Sequence, residues 1–229
     1  MAAMTSLRVL IEEPPKGKRW VAIAADWPGL ERNGKSADEA IAKLTSYLPR
    51  YLGVAQRAGL ATDFERQTKP TVVAQHTGTG STDFWGISFA PSAEDHEPMD
   101  DAEFERRLAL LRAAWAEFDE VAARVSEELR PGVRGGGRSR DAIIRHVLVV
   151  EGSDFAARVK APSDFEDPAS RTMAHRKRHR KRFLEAMREW RVENKPIGRA
   201  WTLPYLLRHT AYHVLDHTWE MQDRDLSAT

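Results

Sequence analysis

Among its 229 residues the chain has no cysteine. Disulfides, a catalytic thiol and thiolate metal ligands are therefore excluded, and any metal must be held by His, Asp or Glu. Long apolar runs are missing too. Nothing approaches the ~18 residues of a membrane span, and Leu7–Ile11 is too short for a signal-peptide core. Nor is there an excess of one charge. With 35 Lys and Arg against 34 Asp and Glu, the net charge of +1 argues against a polyanion binder. These absences predict a cytoplasmic protein without membrane association. Hydrophobic content of 41% and charged content of 30% are ordinary for a globular chain, which at this length can bury a sizeable core in one or two domains.

What the chain concentrates is histidine. Three of its eight histidines fall within nine residues of the stretch Trp201–Arg224, WTLPYLLRHTAYHVLDHTWEMQDR. The stretch reads as a helix: Thr202 is placed to cap it, Pro204 sits in its first turn, and no glycine interrupts it. His209, His213 and His217 recur every four residues and Glu220 follows three later, so all four share one helical stripe. Leu206, Tyr212, Leu215 and Trp219 lie beside that stripe, which places the histidines near the edge of the buried face.

In the first third, Arg8–Glu12 and Arg19–Ala25 read as strands joined by a turn at Pro14, Pro15 and Gly17. Ser36 and Glu39 make a capping-box signature for one helix from Ala37 to about Ala58, burying Ile41, Leu44, Leu48, Leu52 and Ala55, with Gly59 ending it. Thr71–Gln75 and Phe84–Phe89 predict two further strands separated by a flexible His76–Ser81 segment. Ala90–Pro98 is polar and proline-bearing, and marks a boundary between residues 1–90 and 91–229.

Beyond it, Asp100 and Glu103 open a long amphipathic helix. Its apolar positions Phe104, Leu108, Leu111, Trp115, Phe118, Val125 and Leu129 run to a stop at Pro131-Gly132. After a flexible Gly135–Gly137 loop, Ser139 caps a second helix with Ile143, Val147, Val150, Phe155 and Val159 on its apolar side. Asp167-Pro168 opens a third helix to about Val192, Asn194–Gly198 breaks the chain, and the histidine helix follows. Four helices with moderate loops fit an antiparallel bundle.

His213 and His217 are one turn apart, the usual way a helix offers two imidazoles to one ion. His146, between Ile143 and Val150 on the second helix, can point into a bundle and supply a third ligand. Three imidazoles leave open positions on Zn²⁺, Ni²⁺ or a similar ion. Asp216, Glu151 and Glu220 are candidate acceptors for imidazole N–H groups or a general base. Glu220 is also a candidate fourth ligand, whereas His209 is placed for packing or for holding another side chain. A competing pair, His175 and His179, sits in AHRKRHRKR (Ala174–Arg182), where six cations repel a metal. That run reads as a solvated outer helix face, with no aromatic interleaved to stack bases; nucleic acid is not an expected partner.

Two resemblances extend this reading. The opening Leu7-Arg8-Val9-Leu10-Ile11-Glu12-Glu13 hairpin, the Asp26-Trp27-Pro28-Gly29-Leu30 turn and Gly34-Lys35-Ser36-Ala37-Asp38-Glu39-Ala40 resemble the small HicB-like α/β module over roughly residues 7–58. No toxin-like or DNA-binding segment accompanies them, so what the resemblance implies is a packing or partner-recruiting module. Residues 101–224 resemble the DinB-like metal-binding bundle. The match is carried by His146-Val147-Leu148-Val149-Val150-Glu151 and by Leu206-Leu207-Arg208-His209-Thr210-Ala211-Tyr212-His213-Val214-Leu215-Asp216-His217. This resemblance implies a divalent metal, zinc or nickel, on His146, His213 and His217, a bundle that often dimerises, and a thiol-dependent transferase or isomerase acting on a small molecule. The segment Thr218-Trp219-Glu220-Met221-Gln222 departs from the family pattern and leaves the substrate open.

The expected protein is thus α+β with two domains, a HicB-like module and then an antiparallel DinB-like four-helix bundle. It is either a metal-dependent enzyme using a small thiol or a non-enzymatic metal-binding protein that recruits a partner through its first domain.

Overall fold

The alternating apolar residues of the opening hairpin form strands β1 (Thr5–Glu13) and β2 (Trp20–Ala24), paired antiparallel with Val9 opposite Ala24. The computed structural model describes residues 5–132, 137–163, 165, 171–193, 197 and 201–227. A third strand, β3 (Glu31–Gly34), pairs antiparallel with β2, and β4 (Gln67–Thr77) runs parallel to β1, giving the order β3-β2-β1-β4. The expected strand at Thr71–Gln75 lies inside β4, which is longer at both ends. His76 belongs to it and not to a flexible segment.

The single helix expected over Ala37–Ala58 is two: α1 (Ala37–Ser46) and α2 (Leu48–Arg57), parted at Tyr47. Pro49 explains the break. It has no N–H to continue the ladder, and its ring would meet the carbonyl four residues back; in the first turn of a new helix both problems vanish. The break also rotates the buried face, so Ala40, Leu44, Tyr51, Val54 and Ala55 are buried while Ile41, Leu48 and Leu52 are only partly so. Ser36 accepts from the Glu39 backbone as its cap, and Glu39 reaches back to the Lys35 N–H. A short helix α3 (Ala61–Glu65) follows Gly59, whose φ of +73° suits glycine. Trp27, Tyr51 and Phe64 pack their rings together at centroid distances of 4.7–6.1 Å, and the Tyr51 hydroxyl donates to Pro28 O.

The strand expected at Phe84–Phe89 is not formed. Residues Gly80–Trp85 are helix α4, started by a capping box between Thr79 and Thr82 and stopped by Gly86 at φ +68°. An apolar run this short has no periodicity to separate strand from helix, and here the flanking caps decide. Residues Ala93–His96, within the expected linker, form a 3-10 turn.

Helix α5 (Asp101–Arg124) begins as expected, with Asp100 accepting from the Glu103 N–H. It stops short of Pro131-Gly132: Asp225 accepts from the Ser126 N–H and hydroxyl, and Leu129 bridges to Asp225. Helix α6 (Arg140–Val150), capped by Ser139, passes into a π-helical turn at Glu151–Ala156 that the apolar pattern did not reveal. Helix α7 (Met173–Glu193) and helix α8 (Leu203–Arg224) complete the chain. The caps expected at Asp167-Pro168 and the breaks at Gly135-Gly136 and Asn194–Pro196 lie outside the described residues.

The protein is therefore α+β, with a four-stranded sheet in its N-terminal part and a mostly helical C-terminal part. It divides into two compact units, Met1–Ala114 with Leu207–Tyr212, and Trp115–Leu206 with His213–Thr229. Leu7, Val9, Leu10, Ile11, Val21 and Ile23 form the sheet core of the first. Phe118, Val121, Ile143, Val147, Phe183, Met187, Val214, Leu215 and Trp219 are buried in the second.

Candidate metal centre

In α8 the Thr202 hydroxyl accepts from the Tyr205 N–H and Pro204 occupies the first turn, which fixes the register that follows. His213 and His217 consequently project one turn apart. His146 on α6 meets them, its Nε2 3.2 Å from that of His213. Ring centroids are 5.1 Å apart for His146 and His213, and 4.9 Å for each of the other two pairs. One ligand atom from each of the three lies within 4.8 Å of the others, and all three residues are half-buried. It is the group of metal-capable side chains found among the described residues.

The spacing suits a cation. Two imidazole nitrogens at 2.0–2.1 Å from a tetrahedral zinc stand about 3.4 Å apart. Burial, then the nearby His217 and Arg138, push the His146 imidazole down to about 4, so it is neutral and able to ligate over the physiological range.

Glu220 is turned to the far side of the site. Its Oε2 accepts from His217 Nδ1 at 2.8 Å, which leaves Nε2 as the nitrogen that could face a metal, and its Oε1 takes Arg224 at 2.5 Å. Burial raises the Glu220 carboxyl, but the contacts with His217 and Arg224 outweigh it and hold it below the usual range. Arg224 also donates from Nε to Arg130 O and from Nη2 to Arg138 O, so it braces the chain leading into α6. Arg224 was not singled out from sequence, although its place four residues after Glu220 on one helix is the available signal. The second missed neighbour is Phe155. The π-turn sets its ring edge-on to His213 at 5.5 Å, and Trp201 lies 6.2 Å from it. Inserted π-turns recur at functional sites because they re-aim side chains within a helix.

The remaining candidates lie elsewhere. His209 is only 6% exposed, with its ring against Phe89 and Tyr212, and Asp216 is half-buried outside the metal-capable group. Glu151 is fully buried and accepts from Trp115 Nε1 at 2.5 Å, with His179 Nε2 at 3.5 Å and Arg180 Nε at 3.6 Å. Burial raises its carboxyl despite the Arg180 charge. These contacts correct the reading of Ala174–Arg182 as a solvated face. His179 and Arg180 are buried, and Asp119 on α5 takes both Arg176 and Arg180 at 2.7–2.8 Å. A helix this basic keeps a polar face inside because α5 and the π-turn supply the carboxylates.

The first unit holds a polar cluster that the sequence did not announce. Arg208 donates to Asp95, to Glu31 Oε1 at 3.0 Å and to Ser88 at 3.0 Å, all of them buried. Glu12, buried at the end of β1, accepts from Thr82, Ser88 and the Phe89 N–H. Burial, only partly offset by Arg208, raises Glu31 to about 7, whereas the Arg208 contact holds Asp95 low against the effect of its own burial.

No family model matches the chain, and no curated protein or solved structure matches it. The HicB-like and DinB-like resemblances thus rest on the quoted residues alone.

Proposed function

We propose that the protein holds one divalent cation on His146, His213 and His217 and acts as a metal-dependent enzyme. The observation that carries this reading is the convergence of three ring nitrogens from two helices within 4.8 Å. A zinc or nickel ion there would supply Lewis acidity to an oxygen or sulfur donor of a substrate. The chain's own residues do the rest. Glu220 fixes the tautomer and tilt of His217, and Arg224 fixes Glu220. Phe155 gives His213 an apolar neighbour that keeps water from one side of the ring.

The enzyme reading is preferred to a purely structural metal site because both Glu220 oxygens are engaged by His217 and Arg224. Without a fourth protein ligand, a three-histidine centre keeps a position for substrate. The finer assignment is a DinB-like four-helix bundle with a thiol-dependent transferase or isomerase activity on a small molecule, acting as a homodimer. The HicB-like module would recruit a protein partner. The bundle assignment follows the resemblance of Leu206–His217 and His146–Glu151 to that family.

Elemental analysis of the purified protein beside His213→Ala tests the centre. About one equivalent of zinc or nickel in the parent and none in the variant is the expected result. A parent free of metal after reconstitution would sink the proposal. Turnover of electrophiles with small thiols by the loaded protein then tests the enzyme class.

A further inference from the structure

Phe84 and Trp85 are 67% and 57% exposed, among the largest exposed apolar side chains described. Their rings stand edge-to-face at 4.6 Å. The surrounding chain holds this pair rigidly. Asp83 accepts from the Lys16 and Lys18 backbone N–H groups at 2.9 and 3.2 Å, which straps α4 to the turn between β1 and β2. Arg19 donates to Trp85 O and Asn33 to Gly86 O. A Cβ on Gly86 would strike the side chains of Arg19 and Asn33, so the stop of α4 depends on glycine there. Lys16 and Lys18 are exposed. The one carboxylate of these two segments, Asp83, is buried and engaged.

We propose that Phe84 and Trp85, with Lys16, Lys18 and Arg19 around them, form a tip that docks on an anionic lipid bilayer surface. The charge of the tip is complementary to acidic headgroups, and aromatic side chains beside lysine and arginine suit the interfacial layer, where rings enter and cations stay at headgroup level. Backbone groups at the tip are already bonded within the protein: Lys16 N, Lys18 N, Trp85 O, Gly86 N and Gly86 O all have partners. Entry into a poorly hydrating layer requires that. A nucleic-acid strand would instead use parallel platforms for successive bases, and the 84° interplanar angle of this pair offers none.

Cosedimentation of the full chain with phosphatidylcholine vesicles, with and without phosphatidylserine, tests this at low and physiological salt. The parent is expected to sediment only with the anionic vesicles, more weakly as salt rises. Lys16→Gln with Lys18→Gln weakens binding about twenty-fivefold, at about fivefold per lysine. Phe84→Ala with Trp85→Ala weakens it more than about tenfold. Because all four side chains are exposed, both variants keep the parent's thermal midpoint. Parent that stays in the supernatant, sedimentation equal to that of the variants, or equal binding to neutral vesicles overturns the proposal. So does displacement from vesicles by a labelled single-stranded oligonucleotide, which would reassign the tip to nucleic acid.

Discussion

Helix α8 carries two polar clusters of opposite character, one around Arg208 in the first unit and one around His213 in the second. Arg208 is 3% exposed, and its guanidinium contacts include the buried side chains of Asp95, Glu31 and Ser88 and Ala90 O. The histidine cluster is half-buried, and two of its nitrogens face each other 3.2 Å apart, a distance that fits an N–H···N hydrogen bond between neutral rings and equally two ligands of one ion. One cluster is an ion-pair network of the protein's own groups; the other is a group of three imidazoles that could hold a metal ion. Basic and imidazole side chains on one helix thus enter an ion-pair network in one place and a metal-capable group in the other, and the difference lies in what the neighbouring elements supply.

That contrast can be broken in order of expected effect. His213→Ala should abolish metal binding, lowering affinity by several orders of magnitude in competition dialysis, while metal-free stability falls by less than about 1 kcal/mol because the site is half-buried. Arg208→Ala should do the reverse. Removing one partner of a buried ion pair costs about 3–5 kcal/mol, here by stranding Glu31 and Asp95, and urea unfolding would register it. An unchanged urea midpoint would erase the contrast.

The Arg208 cluster also predicts a pH dependence. Glu31, faced by Arg208, Asp95 and Glu12, has its carboxyl raised from 4.5 to about 7 on folding. It binds its proton more tightly folded than unfolded. Its contribution to stability is thus full below about pH 4.5 and lost as pH rises to about 7, on the order of 3 kcal/mol in all. Asp95 acts oppositely, adding stability above its unfolded pKa that disappears as pH falls. Glu31→Gln should flatten the loss between pH 4.5 and 7 in urea midpoints taken across that range. A parent profile already flat there would contradict the assignment.

Smaller effects sharpen the picture. Glu220→Gln keeps the shape of the acceptor that holds His217 but weakens its charge, and should lower metal affinity about 10–100-fold. His209→Ala should reduce stability by about 2 kcal/mol, through the lost contacts with Phe89 and Tyr212, and leave metal stoichiometry untouched. Loss of metal in that variant would place His209 in the centre after all.

The parts of the fold that were legible in sequence are those decided locally. The caps at Ser36, Asp100, Ser139 and Thr202 each accept an N–H within three residues, so residue type and spacing suffice. Where local signals conflict, residue type and spacing do not suffice. Pro49 lies inside an apolar period, and the helical spacing of Leu44, Leu48 and Leu52 runs across the junction of α1 and α2 without marking it. Strand β3 has the polar sequence ERNG and is a strand only because β2 supplies its ladder. The Phe84–Phe89 run, expected as a strand, is too short to carry a period, and its first two residues end a helix set by the Thr79 cap and Gly86.

The sequence by itself determined that a metal site, if present, must use His, Asp or Glu, and that His213 and His217 would share a face with Glu220, since helical geometry fixes side chains three and four apart. Tertiary structure alone decided the rest. It brought His146 across to His213, turned Glu220 outward between His217 and Arg224, and sent Glu151 to Trp115, His179 and Arg180. The physical reason is that burial and charge pairing act between elements distant in the chain. Periodicity places a side chain on a face of its own helix, and only packing determines what that face meets.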